Sequence, residues 1–223
     1  MTKKLEAVIF DLDGVIIDTA HYHFVAWRNL ANKLGINFDE EFNEQLKGIS
    51  RMESLERILV LGNKQNDFTN EEKLELATKK NDEYVALLKD MKPEDIFPGI
   101  KSFLTELKEN DIKIALASAS KNAPMILKAL QIENFFDYIV NPDEVENGKP
   151  APDLFLRGAE AVGAKPEFSI GVEDAIAGIE AVKSAGMFAV GVGTPEEMEK
   201  AGADWVITET TSLLLSELKK RYN

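Results

Sequence analysis

The chain has 223 residues, 44% of them hydrophobic and 29% charged, which places it among globular sequences long enough to bury a core. Its 26 basic and 39 acidic side chains leave a formal net charge of −13, which argues against a nucleic-acid partner, because phosphate contacts need a surplus of Lys and Arg. Cys is absent and His occurs only as His21 and His23, so disulfides, thiolate metal sites and His-rich zinc sites drop out and a cytoplasmic address is expected.

Lys3 and Lys4 precede an apolar run, Ala7 to Phe10, that Asp11 cuts short. The run is too brief for a signal peptide or a membrane span, so no membrane partner is expected, and it reads instead as a strand buried on both faces. The next such run, 112–117, begins 102 residues after Phe10. A βαβ unit needs only about 30 residues, so roughly 70 residues are inserted after the first strand, more than a loop can hold. Phe24, Trp27, Leu30, Ala31 and Leu34 recur at helical spacing until Gly35, and Leu55, Ile58 and Leu59, then Leu74, Ala77, Tyr84, Leu87 and Leu88, continue the pattern. The insert therefore reads as a helical cap over 18–98, leaving 1–17 and 99–223 as the core.

Further apolar runs follow at 138–140, 169–172, 188–192 and 205–207. Helix signals lie between them. Asn122 and Pro124 open one helix, Pro152 stands in the first turn of another, and Asp174 is placed as the cap of a third that ends at Gly186. The alternation predicts an α/β fold, doubly wound around a mostly parallel, Rossmann-like sheet.

In such a sheet, ligands bind beyond the carboxyl ends of the strands. Asp11 and Asp13 follow the first strand, Ser118, Ala119, Ser120 and Lys121 the second, and Glu173 and Asp174 the run at 169–172, while Lys149 precedes the helix of Pro152. Clustered carboxylates need a cation, and oxygen ligands without His or Cys point to Mg²⁺ before Ca²⁺. Mg²⁺ in turn suggests phosphoryl chemistry. Asp11 becomes a nucleophile candidate and Asp13 a general acid–base candidate. The Ser118 hydroxyl and nearby N–H groups suit phosphate oxygens, and Lys149 can balance charge.

Each piece also has a plainer reading. An Asp-x-Asp pair is common as a turn, and Glu173-Asp174 is ordinary at a helix start. Only joint placement at several strand ends lifts the functional reading. Lys47, Gly48 and Arg51 form a second cationic cluster able to bind another phosphate, although from the residues alone a solvated helix start is the favoured reading. His23 reads as a surface helix residue at even odds, and the Trp27 stripe as core.

The stretch Phe10-Asp11-Leu12-Asp13-Gly14-Val15 resembles the signature of the haloacid dehalogenase superfamily. Ser118, Lys149 and Glu173-Asp174 match its remaining motifs in order and spacing. At finer grain, segments 18–27, 43–51, 116–122 and 149–153 are similar to the superfamily's mutases of β-glucose phosphates.

The resemblance implies interconversion of β-D-glucose 1-phosphate and β-D-glucose 6-phosphate through an aspartyl phosphate and β-glucose 1,6-bisphosphate. It implies that Asp11 carries the phosphoryl group and that Asp13 shuttles the hydroxyl proton. Mg²⁺ would be held by Asp11, the Asp13 carbonyl and Asp174, with Glu173 close by. Ser118, Ala119 and Lys149 would hold the transferring group, and Arg51 the distal phosphate with Ser120, Lys121 and Asn122. Lys47, Gly48, His23 and Lys80 fall on the cap side, His23 and Lys80 positioning Asp13, and Thr19 lies near the hinge.

Two positions depart from the pattern. Ala175 stands where a Ser is expected, and Met52 where an acidic residue is expected and could tune sugar preference. The alternatives are a Mg²⁺-dependent phosphatase of a small sugar or polyol phosphate on the same scaffold, and a non-catalytic binding protein. The partner is expected to be a small sugar phosphate, and the protein a monomer.

Overall fold

In a computed structural model, which describes residues 4–222, six parallel strands form one sheet in the order β3-β2-β1-β4-β5-β6. They are β1 (Ala7–Phe10), β2 (Lys113–Leu116), β3 (Tyr138–Ile139), β4 (Ser169–Glu173), β5 (Phe188–Val192) and β6 (Trp205–Ile207). β1 pairs on both sides, Ala7 aligning with Lys113 of β2 and with Ser169 of β4. All four β1 residues are buried, as a continuous apolar run in a sheet covered on both faces requires.

Period-two alternation sends neighbouring side chains to opposite faces. Val8 and Phe10 join Ile114, Leu116, Ile170 and Val172 in one core cluster. That face is covered by α5 (Ile100–Glu109), α6 (Ala123–Ala129) and α10 (Leu215–Tyr222), through side chains such as Phe103, Leu127 and Leu218. Ile9, Ala115 and Ala189 turn to the other face, against α7 (Asp153–Ala161), α8 (Ile176–Ser184) and α9 (Pro195–Ala201).

Between β1 and α5 stand α1 (Ala20–Lys33), α2 (Glu40–Glu44), α3 (Arg51–Leu61) and α4 (Asn70–Leu87). Phe24, Trp27, Leu30, Leu55, Ile58 and Ala77 pack there into a third cluster of their own. The two connections to the sheet run side by side. Ile17 bridges Ile96 in antiparallel sense, and the Phe97 N–H donates to the Ile16 carbonyl at 2.9 Å. The chain leaves β1 towards β2 and later returns to β4 on its other side, so the carboxyl end of β1 is the switch point where ligands bind.

Several sequence readings shift. The runs at 112–117 and 138–140 shorten to β2 and β3, and Pro152 is the residue before α7 rather than inside its first turn. Leu74 is 59% exposed, because α4 turns that position away from the helices it packs on. Asp174 does not cap α8. Ala175 holds the cap position without a side-chain hydrogen bond, and the Glu173 carboxylate accepts from the N–H groups of Asp174 and Ala175 at 2.9 and 3.0 Å. No helix among the described residues is long and apolar enough to cross a membrane.

Candidate active site

Asp11 follows β1 and Glu173 ends the adjacent β4, so parallel pairing brings two carboxylates side by side. Lys149 enters between them. Its Nζ donates to Asp11 Oδ1 at 2.7 Å and to Glu173 Oε1, and the ammonium is wholly buried. Burial disfavours that charge, but Asp11 and Glu173 outweigh it and raise the lysine pKa. Asp11, Glu173 and Asp174 each offer a carboxylate oxygen within 4.8 Å of the others. Burial, then repulsion from Glu173 and Asp11, pushes the Asp174 pKa well up.

Were all three ionised, the carboxylates would exceed the one ammonium by two negative charges. A divalent cation with oxygen preference fits that deficit and that donor set. Glu173 has the least to offer a cation, because Lys149 and two backbone N–H groups already engage both its oxygens. Glycines make room for two of the carboxylates. A Cβ on Gly14, whose φ is +74°, would overlap the Asp174 carboxylate, and one on Gly178 would overlap that of Glu173.

Asp13 is not one of this trio. It accepts from the hydroxyl of Thr19, which is fully buried at the foot of α1. Burial, followed by the charge of Asp11, pushes its pKa up to about 7, against the opposing pull of Thr19, Lys149 and Lys80. A carboxyl group poised there can both take and give a proton near neutrality.

Beside it, α1 and α4 bring His23 and Lys80 together, Lys80 Nζ lying 2.7 Å from His23 Nδ1. The His23 ring stacks on Tyr84 with centroids 4.0 Å apart, and the Lys80 ammonium lies over the rings of Trp27 and Tyr84 at 4.5 and 4.9 Å. Burial, and then the charge of Arg51, lowers the Lys80 pKa to about 7, and burial with Lys80 keeps His23 well below its ordinary value. The direction of that bond follows the imidazole tautomer, Nδ1 accepting from Lys80 when the ring proton sits on Nε2.

A cavity of about 340 Å³ joins these groups. Asp11, Asp13 and Asp174 line it together with His23 and Lys80. Lys47, Gly48 and Arg51 line it from the inserted helices, and Ser118, Ala119, Ser120, Lys121 and Asn122 from the loop after β2. Thr19, Lys149 and Glu173 are not in the lining and lie buried beneath it. A larger groove of about 1070 Å³ shares Gly14, Lys47 and Asp174 but includes neither Asp11 nor Arg51.

The lining cations differ in freedom. Lys47 pairs with Glu44 at 2.7 Å, and Lys121 with Asp143 at 2.5 Å. Arg51 opens α3 just after Ser50, whose hydroxyl caps that helix by accepting from the Glu53 N–H at 3.2 Å. Among the described residues Arg51 has neither a hydrogen bond nor an ion pair, so its five donors are available to an anion in the cavity. Burial lowers its pKa, though a guanidinium stays charged. Asn122 Nδ2 donates to Asn81 Oδ1 on α4 at 2.8 Å, tying the loop to the inserted helices.

Sequence reasoning missed Gly178, Asn81, Asn43, Ser54 and the ring role of Trp27. Trp27 is buried as core, yet its face also receives Lys80. Tyr84 stands in the apolar pattern of α4, where nothing local shows that it would meet His23.

Comparison with known proteins agrees with this arrangement. The haloacid dehalogenase-like hydrolase family matches residues 8–192. The chain is 50% identical to a β-phosphoglucomutase of Bacillus subtilis, over 98% of this chain and 96% of that one. It is 34% identical to a phosphorylated carbohydrates phosphatase of Thermotoga maritima, over 82% of each. The crystal structure of a β-phosphoglucomutase from Clostridium difficile superposes with a TM-score of 0.96 at 51% identity, covering 98% of this chain and 97% of that one. The chain belongs to the haloacid dehalogenase-like hydrolase family.

Proposed function

We propose that the protein is a phosphomutase that interconverts β-D-glucose 1-phosphate and β-D-glucose 6-phosphate through an aspartyl phosphate at Asp11. The observation that carries the reading is one cavity lined both by Asp11 and by Arg51, whose side chain has no partner among the described residues. A phosphatase needs one phosphate site. A mutase working through a bisphosphate needs two, and the close similarity to two β-phosphoglucomutases supports the same choice.

In this reading residues 18–98 are a cap over a core of 1–17 and 99–223. Asp11 and Asp174, with the Asp13 carbonyl and Glu173 alongside, would hold Mg²⁺, which when bound offsets charge on the transferring group. Asp13 takes the proton of the sugar hydroxyl as its oxygen forms a bond to phosphorus and the bond from phosphorus to the Asp11 oxygen breaks. The resulting bisphosphate reorients to present its other phosphate. Asp11 then attacks that phosphorus, and Asp13 returns the proton to the departing sugar oxygen.

Ser118, Ala119 and Lys149 steady the transferring group. Arg51, Ser120, Lys121 and Asn122 hold the distal phosphate, while Lys47 and Gly48 face it from the cap. His23 and Lys80 position Asp13, and Thr19 fixes its carboxyl group. A closed cap keeps water from the aspartyl phosphate. The same reading makes the protein a cytoplasmic monomer acting on a small sugar phosphate.

Phosphorus NMR of the protein with Mg²⁺, β-glucose 1-phosphate and a phosphoryl donor as primer tests the proposal. Glucose 6-phosphate should accumulate. Release of inorganic phosphate without glucose 6-phosphate would reject it in favour of a sugar phosphatase, the activity named for the Thermotoga maritima relative.

A further inference from the structure

Helix α2 is one and a half turns long, and Asn43 is its buried residue. Asn43 is only 9% exposed, and that opening belongs to the cavity it lines. Among the described residues its carboxamide has no hydrogen-bond partner. Trp27, Leu46 and Ala77, all buried and apolar, line the same cavity. Ser54 lines it as well. Its hydroxyl donates to the Ser50 carbonyl at 3.0 Å and keeps its lone pairs for other donors.

The Asn43 oxygen and nitrogen are unpaired yet open to the cavity, so both stand available to a molecule bound there. A partner that satisfies both atoms must donate and accept. A sugar hydroxyl has that chemistry.

We infer that Asn43 is a specificity-determining residue, reading a ring hydroxyl of the bound sugar phosphate from the cap side with Ser54 beside it. This rests on the sugar-phosphate reading above and extends it to the cap side of the cavity. It explains how the site would prefer a fully hydroxylated ring, since a pocket built to bond a hydroxyl rejects the analogue lacking it.

The test is calorimetric binding of glucose 6-phosphate and its 2-, 3- and 4-deoxy analogues to the full chain, as wild type and as Asn43→Leu. In the wild type, one analogue should bind about tenfold more weakly than the parent, the loss of one buried hydrogen bond. In Asn43→Leu that particular penalty should shrink below about twofold, with the penalties of the other analogues kept. Each comparison is a ratio within one preparation, so a reduced folded fraction cancels, and Asn43→Ala serves the same purpose with a smaller side chain.

Equal penalties in wild type and variant, as a merely structural amide or one satisfied by a fixed water would give, overturn the inference. So does a wild type that does not bind glucose 6-phosphate. Turnover by NMR reports on the mutase reading separately. Coupling without turnover would reject the mutase and keep Asn43, and turnover without coupling the reverse.

Discussion

Lys149 Nζ sits 2.7 Å from Asp11 Oδ1 while also bonding Glu173, so one buried ammonium serves the carboxylates of two neighbouring strands. Replacing it by Met leaves both carboxylates in place with no counter-charge. Breaking a buried pair in this way costs about 3–5 kcal/mol. Urea unfolding of Lys149→Met at pH 7 without divalent ions should show a loss of that size, and added Mg²⁺ should restore part of it. A loss below about 1 kcal/mol would place the weight of the pair elsewhere.

Gly178→Ala inverts a familiar rule. Within a helix, Gly to Ala ordinarily stabilises by about 1 kcal/mol. In α8 the added methyl overlaps the Glu173 carboxylate, which Lys149 and two N–H groups hold in position. The variant should be less stable by about 1–3 kcal/mol, as overpacked sites are. A raised Tm in a thermal melt would contradict the geometry.

Lys80 should make stability depend on pH. Its folded pKa of about 7 lies below the ordinary 10.5, because of burial first and Arg51 second. Between these values the unfolded chain binds more protons than the folded one, so the contribution of Lys80 to stability rises with pH across that window. Below about pH 7 the cost of the buried ammonium is fully in force, reduced by the faces of Trp27 and Tyr84. Lys80→Met should therefore be more stable than wild type at pH 7, with the gap closing towards pH 10. Urea midpoints across that range check it, and a gap that stays constant would exclude the titration of Lys80 as the source.

Arg51→Lys keeps the charge and loses the fork. With charge-assisted hydrogen bonds at stake, transfer to glucose 6-phosphate should fall about tenfold to a hundredfold. Hydrolysis of the aspartyl phosphate needs no distal grip and should fall less, so the NMR ratio of inorganic phosphate to glucose 6-phosphate rises. An equal fall in both products would count against a second phosphate site at Arg51.

The strands were legible because a parallel sheet covered on both faces writes each strand as an unbroken apolar run, as at Ala7–Phe10 and Phe188–Val192. The carboxylates were legible because β1 and β4 present their carboxyl ends together, so Asp11 and Glu173 follow from topology. Local pattern failed where a partner lay elsewhere. Asp174 has the composition of a helix cap, but the carboxylate that meets the backbone belongs to Glu173, which Lys149 turns into place. Asn43 lies on a helix too short to show periodicity. Tyr84 shares the helical period of α4, and its contact with His23 depends on how α1 and α4 cross.

The paired connections at Ile16–Ile17 and Ile96–Phe97 have a mechanical consequence. A single strand of peptide lets what it carries twist in any direction, whereas two strands bonded edge to edge bend about one line, like a door on its pins. If residues 18–98 swing as the cap proposed above, Arg51, Lys80 and Asn43 all ride on that leaf and would reach the substrate together and depart together. On the mutase reading, a phosphorylated Asp11 would then meet either that whole set of side chains or the open solvent, and the lifetime of the acyl phosphate would measure how long the door stays shut.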